Sequence, residues 1–167
     1  MKYRCYLTSC PHFVAPCEFD ISQAPKCPIG EVTEESFYTT SLNEFFSLIV
    51  GSRSFTDYHK FYSIMETLLQ KKRDEGKEIF IVSGGANGTD SMAERYAKEK
   101  SYRLYVVKAD WSKGKKAGFL RNEEMHRFIS EQKERGCVAF WDGKSPGTAQ
   151  SFELAKKYNN QIRKILV

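Results

Sequence analysis

An alternation of apolar runs with amphipathic helical segments, which begins at Phe45, limits the possible folds of this 167-residue chain more than any other feature. Runs typical of buried strands occupy residues 45–50, 78–82, 103–107, 137–141 and 162–167. Apolar residues at helical spacing occupy residues 59–76, 88–100, 119–135 and 148–158. Strands that alternate with helices form right-handed βαβ units. The pattern therefore predicts an α/β fold, a three-layer Rossmann-like domain over residues 45–167 with a mostly parallel, five-stranded sheet.

Residues 1–44 lack this rhythm and are interpreted as a Cys-rich N-terminal extension. The extension contains four of the five cysteines, Cys5, Cys10, Cys17 and Cys27. In a reducing cytoplasm, clustered cysteines favour a metal over disulfides, and a structural zinc ion would stabilise a segment that has almost no core. The spacing fits no strict zinc-finger pattern, and His12 could replace one sulfur. The alternative is that these are free thiols packed against the main domain.

Composition agrees with an ordinary globular protein, since 41% of residues are hydrophobic and 28% are charged. No apolar run approaches the roughly 20 residues that cross a bilayer, and the N-terminus lacks the apolar region of a signal peptide. We therefore expect a cytoplasmic protein without membrane partners. Residues 1–44 contain 3 basic and 6 acidic residues, whereas residues 45–167 contain 23 and 15, a balance that suits an anionic ligand. The basic runs at 71–73 and 113–116 are equally compatible with solvated faces.

Glycine and hydroxyl side chains follow several of the predicted strands. The post-strand segments read GSRS (51–54), SGGANGTD (83–90), KADW (108–111) and WDGKSPGT (141–148). In open α/β sheets, ligands bind beyond the carboxyl ends of the strands, so these segments should meet at one site. Backbone N–H groups can approach a phosphate closely at glycine, and the dipole of a following helix favours an anion. The sequence thus predicts a phosphate-binding loop at 83–90, with a second glycine turn at 143–148.

Individual residues of these segments have two possible roles. Asp90 is either a first-turn acid that stabilises its helix or an acceptor for a ribose hydroxyl. Arg53 either binds a phosphate through its guanidinium group or forms an ion pair at the surface. Trp111 and Trp141 either stack on a base or cover the core. The second turn, GKSPGT, lacks the spacing of a Walker motif, so hydrolysis of Mg-nucleotides is not implied. Cys137, in an apolar run, is interpreted as a core residue.

Four segments also carry a family resemblance: IVGSRSFTDY, IVSGGANGTDSMAERYAKE, KADWSKGKKAGFLRNEEM and VAFWDGKSPGTAQSFELAKK. Together they resemble the YspA/YpsA-related branch of the SLOG superfamily, which also contains the Lonely-guy phosphoribohydrolases, the molybdenum-cofactor carriers and the DNA-uptake protein DprA. The resemblance extends over roughly three quarters of the chain, from Leu48 to Val167. It implies a Rossmann-like fold, a nucleotide or nucleotide-derived ligand such as an ADP-ribose or NAD relative, a homo-oligomer, and an origin in phages or mobile elements.

The resemblance also implies which residues contact the ligand. They are Gly51, Ser52, Arg53, Ser83, Gly84, Gly85, Gly88, Thr89, Asp90, Gly118, Arg121, Asn122, Asp142, Gly143, Lys144, Ser145, Gly147 and Thr148. The extension lies outside the resemblance.

One departure from the phosphoribohydrolase motif P-G-G-x-G-T-x-x-E concerns catalysis. Ser83 replaces the proline, and Met92 stands where the motif has its glutamate. Glu94 lies two residues later, about 200° around the helix from Met92, which leaves Asp90 as the expected catalytic carboxylate near the loop.

Three functions are therefore compatible with the sequence. The first is binding of a nucleotide-derived ligand, for sensing, transport or sequestration. The second is hydrolysis of an N-glycosidic bond in a nucleoside phosphate or NAD-like substrate. The third is DprA-like binding of single-stranded DNA through Arg53, Arg121 and the basic runs, although these residues form no continuous stripe with interleaved aromatic side chains.

Overall fold

The computed structural model describes residues 43–167 in full and the backbone of residues 2–5 and 17–20. The chain divides into two units, Met1–Asn43 and Glu44–Val167. In the first unit, β1 (Lys2–Cys5) and β2 (Cys17–Asp20) form an antiparallel pair. Their register places Cys5 directly opposite Cys17. Cys10, Cys27 and His12 lie outside the described residues.

The second unit alternates strands and helices. Its strands are β3 (Glu44–Gly51), β4 (Glu78–Ser83), β5 (Arg103–Val106), β6 (Arg135–Trp141) and β7 (Ile162–Leu166). Its helices are α1 (Tyr58–Asp74), α2 (Thr89–Glu99), α3 (Ala117–Ser130) and α4 (Pro146–Lys157), with a short 3₁₀ helix at Trp111–Lys116. All strand pairs in the sheet are parallel, in the order β5-β4-β3-β6-β7. This arrangement confirms the predicted α/β Rossmann-like fold.

Alternate residues of β3 face opposite layers of the domain, as the pleat of a strand requires. Ile49 belongs to the cluster that α1 and α2 cover, in which Phe61 packs against Tyr96 and Phe140 with ring centroids 6.1 and 4.9 Å apart. On the other face, the Phe46 ring lies edge-on to Phe128 of α3 at 5.8 Å. The central strand is therefore buried on both sides, which explains why its sequence is continuously apolar.

The boundary between α3 and β6 differs from the one that periodicity predicts. The apolar stripe suggested a helix to residue 135, but α3 ends at Ser130 and β6 begins at Arg135. Arg135 pairs in register with Phe46, and its guanidinium donates to the Gln132 carbonyl (2.8 Å) and to Asn160 Oδ1 (2.9 Å). Pairing with the central strand thus overrides the local helical pattern.

Helix length and polarity also bear on the membrane expectation. Among the residues that the structure describes, no helix is both long enough and apolar enough to cross a bilayer.

The register of the β1–β2 pair leads to a prediction about zinc. Two cysteines on opposed positions of adjacent strands could supply two of the four thiolates of a structural site, with Cys10 and Cys27 as the others. We expect elemental analysis of the purified protein to find about one zinc per chain, as a four-thiolate site requires. Replacing both Cys5 and Cys17 by Ser should remove the zinc and lower the melting temperature, whereas Cys137→Ala should leave the zinc in place. A metal-free protein with an undiminished melting temperature would refute the site.

Candidate functional site

A cavity of about 590 Å³ lies at the carboxyl edge of the sheet, and segments that follow β3, β4, β5 and β6 line it. The strand order reverses between β3 and β6, so this is the switch point at which open α/β sheets bind ligands. Its volume is within the range of about 300–1,000 Å³ that is typical of small-molecule sites. The cavity is therefore the candidate functional site.

Two glycines allow the loop after β3 to touch the start of α2. A Cβ atom on Gly51 would overlap the Thr89 hydroxyl, and one on Gly88 would overlap the backbone of Arg53. Gly88 also has a φ of 75°, which side-chain-bearing residues rarely adopt. The contact is closed by Thr89, whose Oγ1 donates to the Ser52 carbonyl at 3.1 Å. Glycine is thus required here by close backbone approach.

Arg121 of α3 lies against the glycine turn that follows β4. Its Nη1 donates to the Gly84 carbonyl and lies 3.6 Å from Asp90 Oδ2. A Cβ atom on Gly84 would overlap the guanidinium group. Ala86 N closes the turn by donating to Asp90 Oδ2 at 3.1 Å. A cation, a carboxylate and a backbone turn therefore share one small volume at the cavity wall.

Asp90 is a buried carboxyl with a perturbed acidity. Only 6% of the residue is exposed, and this burial raises the pKa of Asp90 to about 6. The Arg121 guanidinium, the Ala86 N–H and the Arg53 charge act in the opposite direction, while nearby Glu94 raises the pKa further. Desolvation in turn lowers the pKa of Arg121. Asp90 therefore both closes the turn and presents a titratable group to the cavity.

Glu94 also reaches the glycine turn, which the sequence analysis did not anticipate. Its Oε1 accepts a hydrogen bond from Ser83 Oγ at 3.0 Å, and Ser83 Oγ accepts one from Gly85 N at 3.2 Å. The expectation that Asp90 is the only carboxylate facing this loop is therefore wrong. The i,i+4 spacing of Asp90 and Glu94, which places both on one helix face, was the available signal.

Asp142 organises the loop after β6 through its side chain. Its carboxylate accepts hydrogen bonds from Lys144 N (3.1 Å), Ser145 N (2.8 Å) and Ser145 Oγ (2.8 Å), and from Ser54 Oγ (3.3 Å). The Ser145 N–H is the main reason that the pKa of Asp142 lies well below its ordinary value. The bonds from Lys144 N and Ser145 N form an Asx turn, and the bond from Ser54 joins this loop to the loop after β3.

The predicted site residues fall into two groups. Those that line the cavity are Gly51, Arg53, Asp90, Gly118, Arg121, Asn122, Ser145, Gly147 and Thr148. Those that lie outside the lining are Ser52, Ser83, Gly84, Gly85, Gly88, Thr89, Asp142, Gly143 and Lys144. Several of the second group support the first: Ser52 and Thr89 hold the β3 loop, and Ser83 holds Gly85. Contact with a ligand stays a prediction for all of them.

Sequence reasoning did not select several lining residues, among them Ser54, Lys115, Phe119 and Met125. Met125 is a core residue by pattern and gave no signal. Lys115 and Phe119 lie within three residues of Gly118, which the resemblance placed in the site, so Gly118 was the available signal for both.

Arg53 and Arg121 present their charges differently. Arg53 is exposed at the cavity and has no acidic partner among residues 43–167, so its surface ion-pair alternative is not observed there. Arg121, in contrast, is already engaged by Gly84 and Asp90, and its side chain is 11% exposed. Of the basic run at 71–73, Lys72 pairs with Glu134 and Arg73 with Glu66. These two basic side chains are therefore already paired with carboxylates, whereas binding of single-stranded DNA would require them to contact phosphates.

The helices that begin at the cavity have uncapped N-termini. No side chain caps the first turn of α2, α3 or α4, whereas Asp57 caps α1 by accepting from Lys60 N. Residues from the first turn of each uncapped helix line the cavity: Asp90, Gly118 and Thr148 are examples. The dipoles of these helices favour an anionic group in the cavity, although the first N–H of α2 donates to the Ser52 carbonyl and that of α3 to the Gly114 carbonyl.

A Rossmann-like sheet with a glycine-rich cavity at its switch point defines the class of α/β domains that bind nucleotide-related ligands. Comparison with known proteins identifies a family within this class. Residues 48–114 match the family described as the YspA, cpYpsA-related SLOG family. The Gene 61 protein of Mycobacterium phage D29 is 34% identical over 116 residues, which are 66% of this chain and 87% of that protein. The chain belongs to the YspA, cpYpsA-related SLOG family, and this relative is phage-encoded, as the resemblance implied.

A solved structure is also similar to part of the chain. It is that of a Methanocaldococcus jannaschii protein described as a predicted subunit of tRNA methyltransferase. The two are 17% identical, with a TM-score of 0.35, over 75% of this chain and 68% of that one. A likeness of this size says nothing about the function of the chain described here.

The environment of Asp90 predicts a measurable titration. We expect ¹³C NMR of the side-chain carboxyl to give a pKa of about 6. Because Arg121 is the strongest opposing influence and Arg53 the weakest, Arg121→Gln should raise this pKa more than Arg53→Gln does. Arg127→Gln, on the exposed side of α3, is the control and should leave the pKa unchanged.

The raised pKa of Asp90 also makes the free energy of unfolding depend on pH. The folded state holds the Asp90 proton up to about pH 6, while an unfolded Asp loses it near pH 4, so the free energy of unfolding should fall across that window. Relative to Asp90→Asn, the wild type should lose about 2–3 kcal/mol between pH 4 and pH 7. A carboxyl that titrates near pH 4 would refute the buried environment.

Proposed function

We propose that this protein binds a nucleotide-derived ligand of the ADP-ribose or NAD type, and that it senses, carries or sequesters that ligand. The observation that supports this most directly is that one cavity is lined by the first turns of α2, α3 and α4, none of them capped by a side chain, and by Arg53, which makes no ion pair with any residue in 43–167. This arrangement attracts a phosphate group by dipole and by charge. Family membership and the switch-point location agree with a nucleotide rather than an inorganic anion.

Asp90 gives the proposed ligand a second contact. The carboxylate lines the cavity and has one oxygen, Oδ2, bonded to Ala86 N. In its ionised form it can accept hydrogen bonds from ribose hydroxyls, while Arg53 and the helix dipoles hold the phosphate. The ligand would thus be read at its phosphate and at its sugar.

A second function is favoured by one observation, the pKa of Asp90 near 6 in a cavity. Carboxyls with such values act as general acids or bases near neutral pH. Asp90 could take a proton from water as that water attacks the ribose carbon and the base departs, which gives free base and ribose phosphate. Glu94 behind Ser83 would add negative charge beside the cationic transition state.

Arg53 provides a test of ligand binding. Arg53→Gln should lower the affinity for ADP-ribose by about 10- to 150-fold, the loss expected for a hydrogen bond to a charged group of about 1.5–3 kcal/mol. Isothermal titration calorimetry measures this, with Arg127→Gln, another exposed arginine, as the matched control. Both variants should stay close to the wild-type melting temperature because both arginines are exposed and neither forms an ion pair with a residue in 43–167. If wild-type protein binds none of ADP-ribose, NAD and AMP, the proposed function is wrong.

Asp90→Asn distinguishes binding from catalysis, since the change is almost isosteric. For a binding protein, we expect no release of free base from AMP, NAD or ADP-ribose by the wild type, and a loss of about 1–3 kcal/mol in affinity by the variant. For an enzyme, turnover by the wild type should fall by about 10²–10⁴ in the variant while affinity changes little. Chromatography of the products measures base release. Multiple turnovers that disappear in Asp90→Asn would establish the hydrolase instead.

A further inference from the structure

Exposed apolar side chains are concentrated beside the cavity. Four large hydrophobic residues are exposed among those that the structure describes, and three of them lie between β5 and the second turn of α3: Trp111 (62% exposed), Phe119 (41%) and Leu120 (46%). Trp111 and Phe119 line the cavity, whereas Leu120 does not. Clustered exposed apolar surface at a cavity is typical of a contact site.

The two tryptophans, for which the sequence allowed either stacking on a base or covering the core, have different environments. Trp141 is half-buried: Lys164 Nζ lies 4.1 Å from its ring centroid, Phe152 packs edge-on to it, and its Nε1 donates to the Ser145 carbonyl at 3.3 Å. Trp111 has no ring contact or hydrogen bond of its side chain to any residue in 43–167. The Trp141 ring is therefore packed against other side chains of the domain, and among residues 43–167 the Trp111 ring is not.

Trp111 is held at the cavity by its backbone instead of by packing. The 3₁₀ helix that contains it begins after Asp110, whose Oδ1 accepts from Ser112 N at 3.1 Å and from Ser112 Oγ at 2.6 Å. The helix leads directly into α3, whose first residue, Ala117, is 1% exposed. The segment bends at Gly114 (φ 68°, ψ −149°), so the capped turn at Asp110–Ser112 is what holds Trp111, whose indole ring stays exposed.

The lining of the cavity is of two chemical kinds. The polar wall, as we call the residues that suit a phosphate and a sugar, consists of Arg53, Asp90 and the starts of α2 and α4. The aromatic wall consists of Trp111 and Phe119, which come from the segment between β5 and α3 and from the first turn of α3, and α3 also contributes Met125 to the lining. Stacking on an aromatic ring accepts any nucleobase, because every base has a π face.

We infer that Trp111, with Phe119, forms a nucleobase subsite, so that the cavity takes a ligand with a base at one end and a phosphate at the other. This inference rests on the proposed function and adds to it the requirement for a base. Ribose phosphates without a base would then occupy only the polar wall.

The test compares AMP with ribose 5-phosphate, two ligands that differ only in the base. We expect calorimetry to give at least a tenfold higher affinity for AMP in the wild type. Trp111→Ala should lower the affinity for AMP by about 5- to 150-fold, the range measured for base stacking on aromatic residues, and leave that for ribose 5-phosphate unchanged. Leu120→Ala is the matched control, since it removes a neighbouring exposed apolar side chain that does not line the cavity, and it should behave as wild type.

Fluorescence gives a second readout because the chain has two tryptophans. In a Trp141→Phe background, Trp111 is the only tryptophan, and AMP should quench its fluorescence over the concentration range in which AMP binds.

Equal affinities for AMP and ribose 5-phosphate, AMP binding without quenching, or unchanged discrimination in Trp111→Ala would each overturn the base subsite. Arg53-dependent binding of ADP-ribose would still stand in those cases, so the two proposals fail separately. A twelve-residue oligothymidylate that binds through Trp111 when AMP does not would also overturn it, and would assign the ring to a nucleic-acid strand.

Discussion

The contact between the Arg121 guanidinium and the carbonyl of Gly84 joins α3 to the turn that connects β4 with α2. Arg121 comes from α3, Gly84 follows β4, and the nearby Asp90 belongs to α2. A guanidinium group can serve a carbonyl and a carboxylate together because its donors lie in a fixed fork. Without Arg121, the Gly84 carbonyl and the Asp90 carboxylate would both lose their cationic neighbour in a site with little access to water. The shape of the cavity wall depends on this one side chain.

Both groups of the Arg121–Asp90 pair are largely buried, and burial changes their acidity. Burial disfavours both charged groups and so opposes their mutual attraction. The pKa of Asp90 is raised and that of Arg121 is lowered, and both shifts favour the neutral form of the group. The pair is therefore poorly compensated in the absence of a ligand, and an anion near Arg53 or Arg121 would alter the balance. Perturbed groups of this kind concentrate at functional sites, which is the physical link between the fold and the proposed binding of a phosphate.

The cavity also shows how residues divide into those that shape a site and those that are free to contact a ligand. Asp142 uses both carboxylate oxygens to hold its own loop and Ser54, and Asn122 donates to the Gly147 carbonyl at 3.1 Å. The side chains of Arg53 and Trp111 make no hydrogen bond to any residue in 43–167, and both line the cavity. Each wall therefore presents an exposed side chain without a partner among residues 43–167, Arg53 in the polar wall and Trp111 in the aromatic wall, and the binding experiments address these two residues.

Sequence by itself determined the alternation of strands and helices, and with it the parallel sheet and the edge at which a site must lie, because hydrophobic period and glycine position are local properties of the chain. It also indicated Gly51, Gly84 and Gly88, although as places for a phosphate to approach; in the structure the neighbours that exclude a side chain there are Thr89, Arg121 and the Arg53 backbone. Only the tertiary structure decided that α3 stops before Arg135, and that Trp111 lines the cavity while Trp141 is packed. Each of those outcomes depends on contacts between residues far apart in the chain, whose energies no local pattern contains.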